Sequence, residues 1–170
     1  MKSILLFIGI LYQTITFSQN QIYVGTSIYD ATEEWEFTVE NGFPEIGNAS
    51  ITFAKNEKGA YLLISVDTHH PLKGNVMIYL ENGEVIKCFD TKLKDMYDGL
   101  SIGIYNLNSS EIEKMKKSNI ASLRVSVFQY SSSIYSFTIK NYYTEKLPYG
   151  QSFKMFNTTA TDITNLMNKN

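Results

Sequence analysis

Beyond the first eighteen residues, apolar side chains recur mostly at every second position, in short stretches bounded by Gly, Asn, Asp and Ser. A two-residue period puts one face of a stretch against a core and the other in solvent, which marks strands rather than helices. Strands are predicted near Trp35 to Val39, Ala49 to Ala54, Ala60 to Asp67, Val76 to Leu80, Val85 to Phe89, Leu100 to Tyr105, Ser122 to Phe128 and Ile134 to Lys140. This pattern predicts a mainly β fold, an antiparallel β-sandwich with a β-barrel as the alternative. Asn82-Gly83, flanked by Glu81 and Glu84, is predicted to form a two-residue hairpin turn. Asn56 to Gly59 joins two further strands in the same antiparallel manner.

The period changes to the helical one twice. Asn108 is placed to cap a crossover helix near residues 109–118, with Glu111 at its third position and Leu107 set to pack on Ile112. Ala160, Ile163, Leu166 and Met167 share one helical face after Thr158 and Thr159, predicting a short C-terminal helix.

The start of the chain follows a third pattern. Lys2 precedes an apolar run from Ile4 to Tyr12, then polar Gln13 and Thr14, with small Thr16 and Ser18 ahead of Gln19. This is the layout of a signal peptide over residues 1–18, cleaved after Ser18, because a bilayer span needs about 20 apolar residues. Residues 19–170 are then expected to be a single β-rich domain, secreted or periplasmic, with no transmembrane segment in the mature chain. Loss of Lys2 leaves 14 basic against 17 acidic residues, and Arg124 is the chain's single arginine. With no basic cluster to neutralise phosphates, nucleic acid is excluded as a partner. Composition adds little else: 170 residues, 44% hydrophobic and 19% charged, suffice for a core without metal or crosslink. Cys88 is the only cysteine and is expected to be buried.

Candidate chemistry is sparse. Gly99-Leu100-Ser101-Ile102-Gly103 matches a nucleophile pattern, but no histidine follows His70 and the apolar alternation runs through the motif as a strand, so Ser101 is not expected to be catalytic. The glycines are read as a bulge or a place of close packing. His69 and His70, with Asp67, fall short of a metal-ligand set and are read as solvent-exposed loop residues. Carboxylates gather at Glu33, Glu34 and Glu36 and at Asp90, Asp95 and Asp98, with solvated loop charges as the expectation. No cofactor and no metal are called for.

Aromatic residues make up 14% of the chain, with a dense group from Phe128 through Tyr130, Tyr135, Phe137, Tyr142, Tyr143, Tyr149 and Phe153 to Phe156. Tyr135 and Phe137 suit a core face. Tyr142, Tyr143 and Tyr149, with Trp35 as a second anchor, are the candidate binding residues. Asn48, Asn108 and Asn157 begin Asn-x-Ser/Thr sequons.

The cleavage segment Phe17-Ser18-Gln19, fourteen lysines to one arginine, the hairpin Tyr79-Leu80-Glu81-Asn82-Gly83, and the stretch from Tyr105-Asn106-Leu107-Asn108 through Glu111-Ile112 to Ile120 and Arg124 resemble small secreted proteins of the Bacteroidota. The resemblance covers the middle half of the chain. It implies a bacterial host and a periplasmic or extracellular address, and it transfers no active-site residue. The resulting expectation is a secreted, non-catalytic protein that recognises a protein, glycan or envelope component. Two alternatives stand beside it: a small hydrolase using paired carboxylates from Asp67, Asp90, Asp95 or Asp98, and a barrel holding an apolar ligand.

Overall fold

A computed structural model describes residues 20–40, 46–129, 133–146 and 152–169. Residues 1–18, expected to be a signal peptide, and Tyr149 lie outside them, as does Tyr130. Thirteen strands and two helices are assigned among the described residues: β1 (Asn20–Val24), β2 (Ser27–Ala31), β3 (Trp35–Glu40), β4 (Ala49–Asn56), β5 (Gly59–Asp67), β6 (Val76–Leu80), β7 (Val85–Cys88), β8 (Asp90–Tyr97), β9 (Leu100–Leu107), α1 (Ser109–Lys117), β10 (Ile120–Phe128), β11 (Ile134–Lys140), β12 (Tyr143–Lys146), β13 (Ser152–Met155) and α2 (Thr159–Met167).

The main sheet runs β7-β6-β10-β11-β3-β4-β5-β9-β8, with every pairing antiparallel. It has two layers that join at both sides. At one corner β3 serves both layers: Trp35 to Phe37 pair with β4, and Thr38 to Glu40 pair with β11. At the other, β7 and β8 are separated only by Phe89, yet β7 pairs with β6 and β8 with β9. The two ends of the sheet are thus one residue apart in the chain, and the antiparallel sandwich is nearly closed into a barrel.

The alternation read from the chain explains which side chains go inside. Ile51 and Phe53 of β4, Leu62, Ile64 and Val66 of β5, and Leu123, Val125 and Val127 of β10 all point into one core. Large side chains, among them Tyr105, Phe37 and Phe53, fill the interior. The helices close one end: Ile112 and Met115 of α1 and Ile163 and Leu166 of α2 belong to the same core. The connection from β5 to β6 crosses the other end, where Leu72 is buried and bridges to Val127.

Both predicted helices are present. Asn108 Oδ1 accepts from the Glu111 N–H and the Glu111 carboxylate accepts from the Asn108 N–H, so the cap is reciprocal. The C-terminal helix is docked rather than frayed: Thr159 Oγ1 accepts from Ile120 N at 2.8 Å, and Lys55 Nζ donates to the carbonyls of Met167 and Lys169.

Three local expectations are corrected. The β6–β7 connection is a three-residue loop, not a two-residue turn. Gly83 N–H closes onto the Leu80 carbonyl at 3.0 Å, while Gly83 itself takes φ +87° and restores the register as a bulge. Five strands, β1, β2, β8, β12 and β13, were not anticipated from the pattern, because their residues are mostly exposed or half-exposed and lack a clean apolar face. His70 is buried rather than exposed, since the chain leaving β5 folds back over the end of the barrel.

Candidate functional site

The outer face of the β4-β5-β9-β8 layer carries a cavity of about 920 Å³. Its floor comes from strand alternation: Tyr61 of β5 and Asn106 of β9 are directly paired, and both face away from the core. Tyr29 of β2 forms one wall, because the β1–β2 hairpin lies over the layer and is tied to it by the Ala31–Ala54 pairing. Phe89 and Thr91, at the corner where β7 turns into β8, form the opposite wall. The β4–β5 turn and the start of α1 complete the lining, with Asn56 to Lys58 on one side and Asn108 and Glu111 on the other.

A second cavity of about 380 Å³ is lined by the same three elements farther along: Tyr23 to Gly25 of the hairpin, Leu63, Ile102 and Ile104 on the floor, and Lys92 to Asp95 of β8. Leu63 pairs with Ile104, two positions along from Tyr61 and Asn106. Both cavities therefore lie on the same face of the layer, two positions apart along its floor strands, the first a polar and aromatic groove and the second mainly apolar.

Three rings serve the groove. Tyr29 and Tyr61 stand edge to face, with centroids 5.1 Å apart and planes at 80°. Phe89 is 67% exposed, with the Lys87 ammonium 5.3 Å from its centroid. Burial, and then the neighbouring Tyr29 hydroxyl, raise the Tyr61 phenol above its ordinary value, so it stays neutral. The amides are fixed by local structure. Asn56 Oδ1 accepts from Lys58 N–H at 2.9 Å and Asn108 Oδ1 caps α1, which orients both side chains and leaves their NH₂ groups as donors.

Asp90 is engaged by the structure. Its oxygens accept from Lys92 N–H at 2.8 Å, Gly74 N–H at 3.0 Å and Lys94 Nζ at 2.7 Å. Burial alone would raise its pKa, but Lys94 and the two backbone donors outweigh burial and hold it below the usual carboxylate value. These bonds support an irregularity in β8: Asp90 pairs with Tyr105 and Lys94 with Gly103, so the intervening segment bulges, with Lys92 at φ +62°. Thr91 donates its hydroxyl to the Ile104 carbonyl at the same place.

The binding residues expected from the sequence lie elsewhere. Trp35 is buried, and its indole N–H donates to Asp162 at 2.9 Å, which ties β3 to α2. It contributes to a smaller cleft of about 390 Å³ with Tyr143, Phe156 and the carboxylates of Glu33, Glu34, Glu36 and Asp162. Tyr142 is engaged internally: its hydroxyl donates to Glu40 at 3.2 Å, and the Lys154 ammonium sits 3.4 Å from its ring centroid. Of the four residues, the structure brings Trp35 and Tyr143 into one cleft and sets Tyr142 beside it against Phe156.

Ser101 is buried, and its hydroxyl oxygen accepts from Leu72 N–H at 2.8 Å, a structural role. Gly103 supplies close packing, since a Cβ there would lie 3.1 Å from Leu72 and Tyr105, whereas Gly99 serves a turn at φ +80°. Asp90 lines the large cavity and Asp95 the apolar one, while Asp67 and Asp98 line neither. Among the described residues no three His, Cys, Asp or Glu side chains form a metal-holding group, and no helix is long and apolar enough to cross a membrane. No family model matches the chain, and no curated protein or solved structure matches it. The groove's own chemistry is what bears on function.

The groove residues are not legible as a group in the sequence. They come from four separated segments, each unremarkable alone, whereas the aromatic residues near the C-terminus are dense within one stretch. One local signal was present: Asp98-Gly99, both at positive φ, is a two-residue hairpin turn that announces β8 and hence the groove's wall.

Proposed function

We propose that the protein is a secreted, non-catalytic recognition module that takes its ligand in the groove on the outer face of the β4-β5-β9-β8 layer. One observation carries this reading: an open cavity of about 920 Å³ combines three aromatic rings with locally fixed amides, and its lining contains no Ser, Cys or His. That volume falls within the range of about 300–1,000 Å³ usual for ligand sites.

A carboxylate hydrolase is less well supported. Such chemistry needs one acid held protonated, whereas Asp90 is shifted toward the ionised form and Glu111 holds the Asn108 N–H. The filled interior counts against an apolar ligand held inside the barrel. Export rests on the apolar run from Ile4 to Tyr12 and the small residues before Gln19, together with the resemblance to secreted proteins of the Bacteroidota.

The test is NMR mapping of the purified protein against mixed libraries of short glycans and peptides. Saturable shifts centred on Tyr61, Phe89 and Asn106 are expected. Saturable binding that maps instead to the Tyr143–Phe156 cleft would overturn the assignment of the groove. Turnover of a library member, abolished by one polar substitution, would overturn the non-catalytic reading. Mass spectrometry of exported protein is expected to show a chain beginning at Gln19.

A further inference from the structure

We infer that the groove binds a neutral oligosaccharide; this deepens the recognition reading and rests on it. The inference starts from what the lining offers. Tyr29 and Tyr61, set at 80°, make an aromatic corner on the floor, and Phe89 stands across from it with most of its ring exposed. A sugar ring presents a patch of C–H groups on its face, which packs on an aromatic ring, and hydroxyls around its edge. Each hydroxyl both donates and accepts. The NH₂ groups of Asn56 and Asn108 supply donors, and the carboxylates of Glu57 and Glu111 supply acceptors around the same cavity.

Other ligand classes fit less well. Extended peptides commonly add a strand to a free sheet edge. The groove floor offers none, because β5 is paired with β4 and β9, and β9 with β5 and β8. An anionic ligand would meet Glu57, Asp90 and Glu111 against the single lining cation, Lys58. A purely apolar chain would desolvate Asn56, Asn106 and Asn108 without pairing them. The cavity's volume of about 920 Å³ gives room for more than one sugar unit.

The bulge in β8 has a place in this arrangement. The segment after Asp90 is pinned by the Asp90 carboxylate and the Thr91 hydroxyl, so the wall carrying Phe89 and Thr91 is rigid before a ligand arrives. A preset wall lowers the ordering cost of binding, which matters for a weak, solvated ligand such as a sugar.

The experiment uses the purified protein and a panel of neutral hexaoses of β-glucan, α-glucan, chitin, mannan and xylan type, with dissociation constants from NMR titration. At least one is expected to bind saturably. Phe89→Ala is expected to weaken that binding about tenfold, the scale of an aromatic anchor. Tyr61→Phe keeps the ring and is expected to stay within about threefold of the parent. Tyr143→Ala, outside the groove, is expected to leave it unchanged. Phe89 is exposed, so its variant should retain the parent's unfolding midpoint, which checks that the fold is intact. The inference is overturned if no hexaose binds saturably, or if Phe89→Ala leaves binding untouched. A peptide library or an acidic polysaccharide run in parallel separates the two levels. If one of these binds and is weakened by Phe89→Ala while no neutral hexaose binds, the neutral-oligosaccharide assignment is overturned while the recognition reading stands. If no probe of any class binds in the groove, both are overturned.

Discussion

Asp90 and Cys88 lie two residues apart and are held in opposite electrostatic states. Lys94 and two backbone donors, acting against burial, lower the Asp90 pKa. A carboxylate with a lowered native value contributes stability above its ordinary pKa, about 4, and loses it as pH falls through the lower native value. Asp90→Asn is therefore expected to reduce the denaturation midpoint at neutral pH. Its difference from the parent should shrink on acidification and vanish once the pH is below the lowered native value; chemical denaturation at a series of acidic pH values checks it. Cys88 is pushed up to about 12, by burial and then by the Glu111 charge, so its thiol stays protonated at neutral pH. Iodoacetamide is expected to spare it in the folded protein and to label it in denaturant, as mass spectrometry would show. Asn141 is a third such residue. Its buried amide donates to the carbonyls of Ile120 and Asn157 and accepts from Asn157 N–H, fastening the segment before α2. Asn141→Ala should cost about 2–3 kcal/mol by orphaning those groups. The same contacts bear on the sequon at Asn157, whose side chain donates to the Glu36 carbonyl and to Asn141 and is thus engaged in the fold.

Elements here are set by turn and cap residues more than by propensity. Gly83 sits at φ +87° with open space around it, so a methyl group there meets no clash and only backbone strain is measured. Gly83→Ala is expected to destabilise by about 1 kcal/mol, readable from a chemical melt. Gly59 differs in kind. A Cβ at that position would stand 2.2 Å from the Leu107 carbonyl oxygen, so Gly59→Ala must push β5 away from the end of β9. It should cost more than Gly83→Ala in the same measurement. The Asn108 cap was readable because its two partners are contiguous in the chain. The exposed strands were not, because a strand with polar residues on both faces looks like a loop until a partner is found for it.

At the scale of the molecule, closure of the two layers depends on contacts between distant parts of the chain. The C-terminal helix contributes Ile163 and Leu166 to the shared core and fastens to β3 and β10 through Trp35–Asp162 and Thr159–Ile120. Truncation after Thr158 would remove those two apolar side chains and expose the part of the core and the side of α1 that they cover. It is expected to abolish a single cooperative unfolding transition, as calorimetry would report. The pattern along the chain by itself determined that this is a mainly β, antiparallel protein, which face of most strands is apolar and, through the Asn108 cap, where α1 begins. Those properties follow from the pleat and from one turn of helix, and their causes lie within a few residues of one another. Only the tertiary structure decided that the layers meet at β3 and at Phe89, that Trp35 is a core residue, and that Tyr29, Tyr61, Phe89 and Asn108 share one groove. Those facts depend on which strands become neighbours, and strand pairing is settled by burial summed over the whole chain rather than by any one segment.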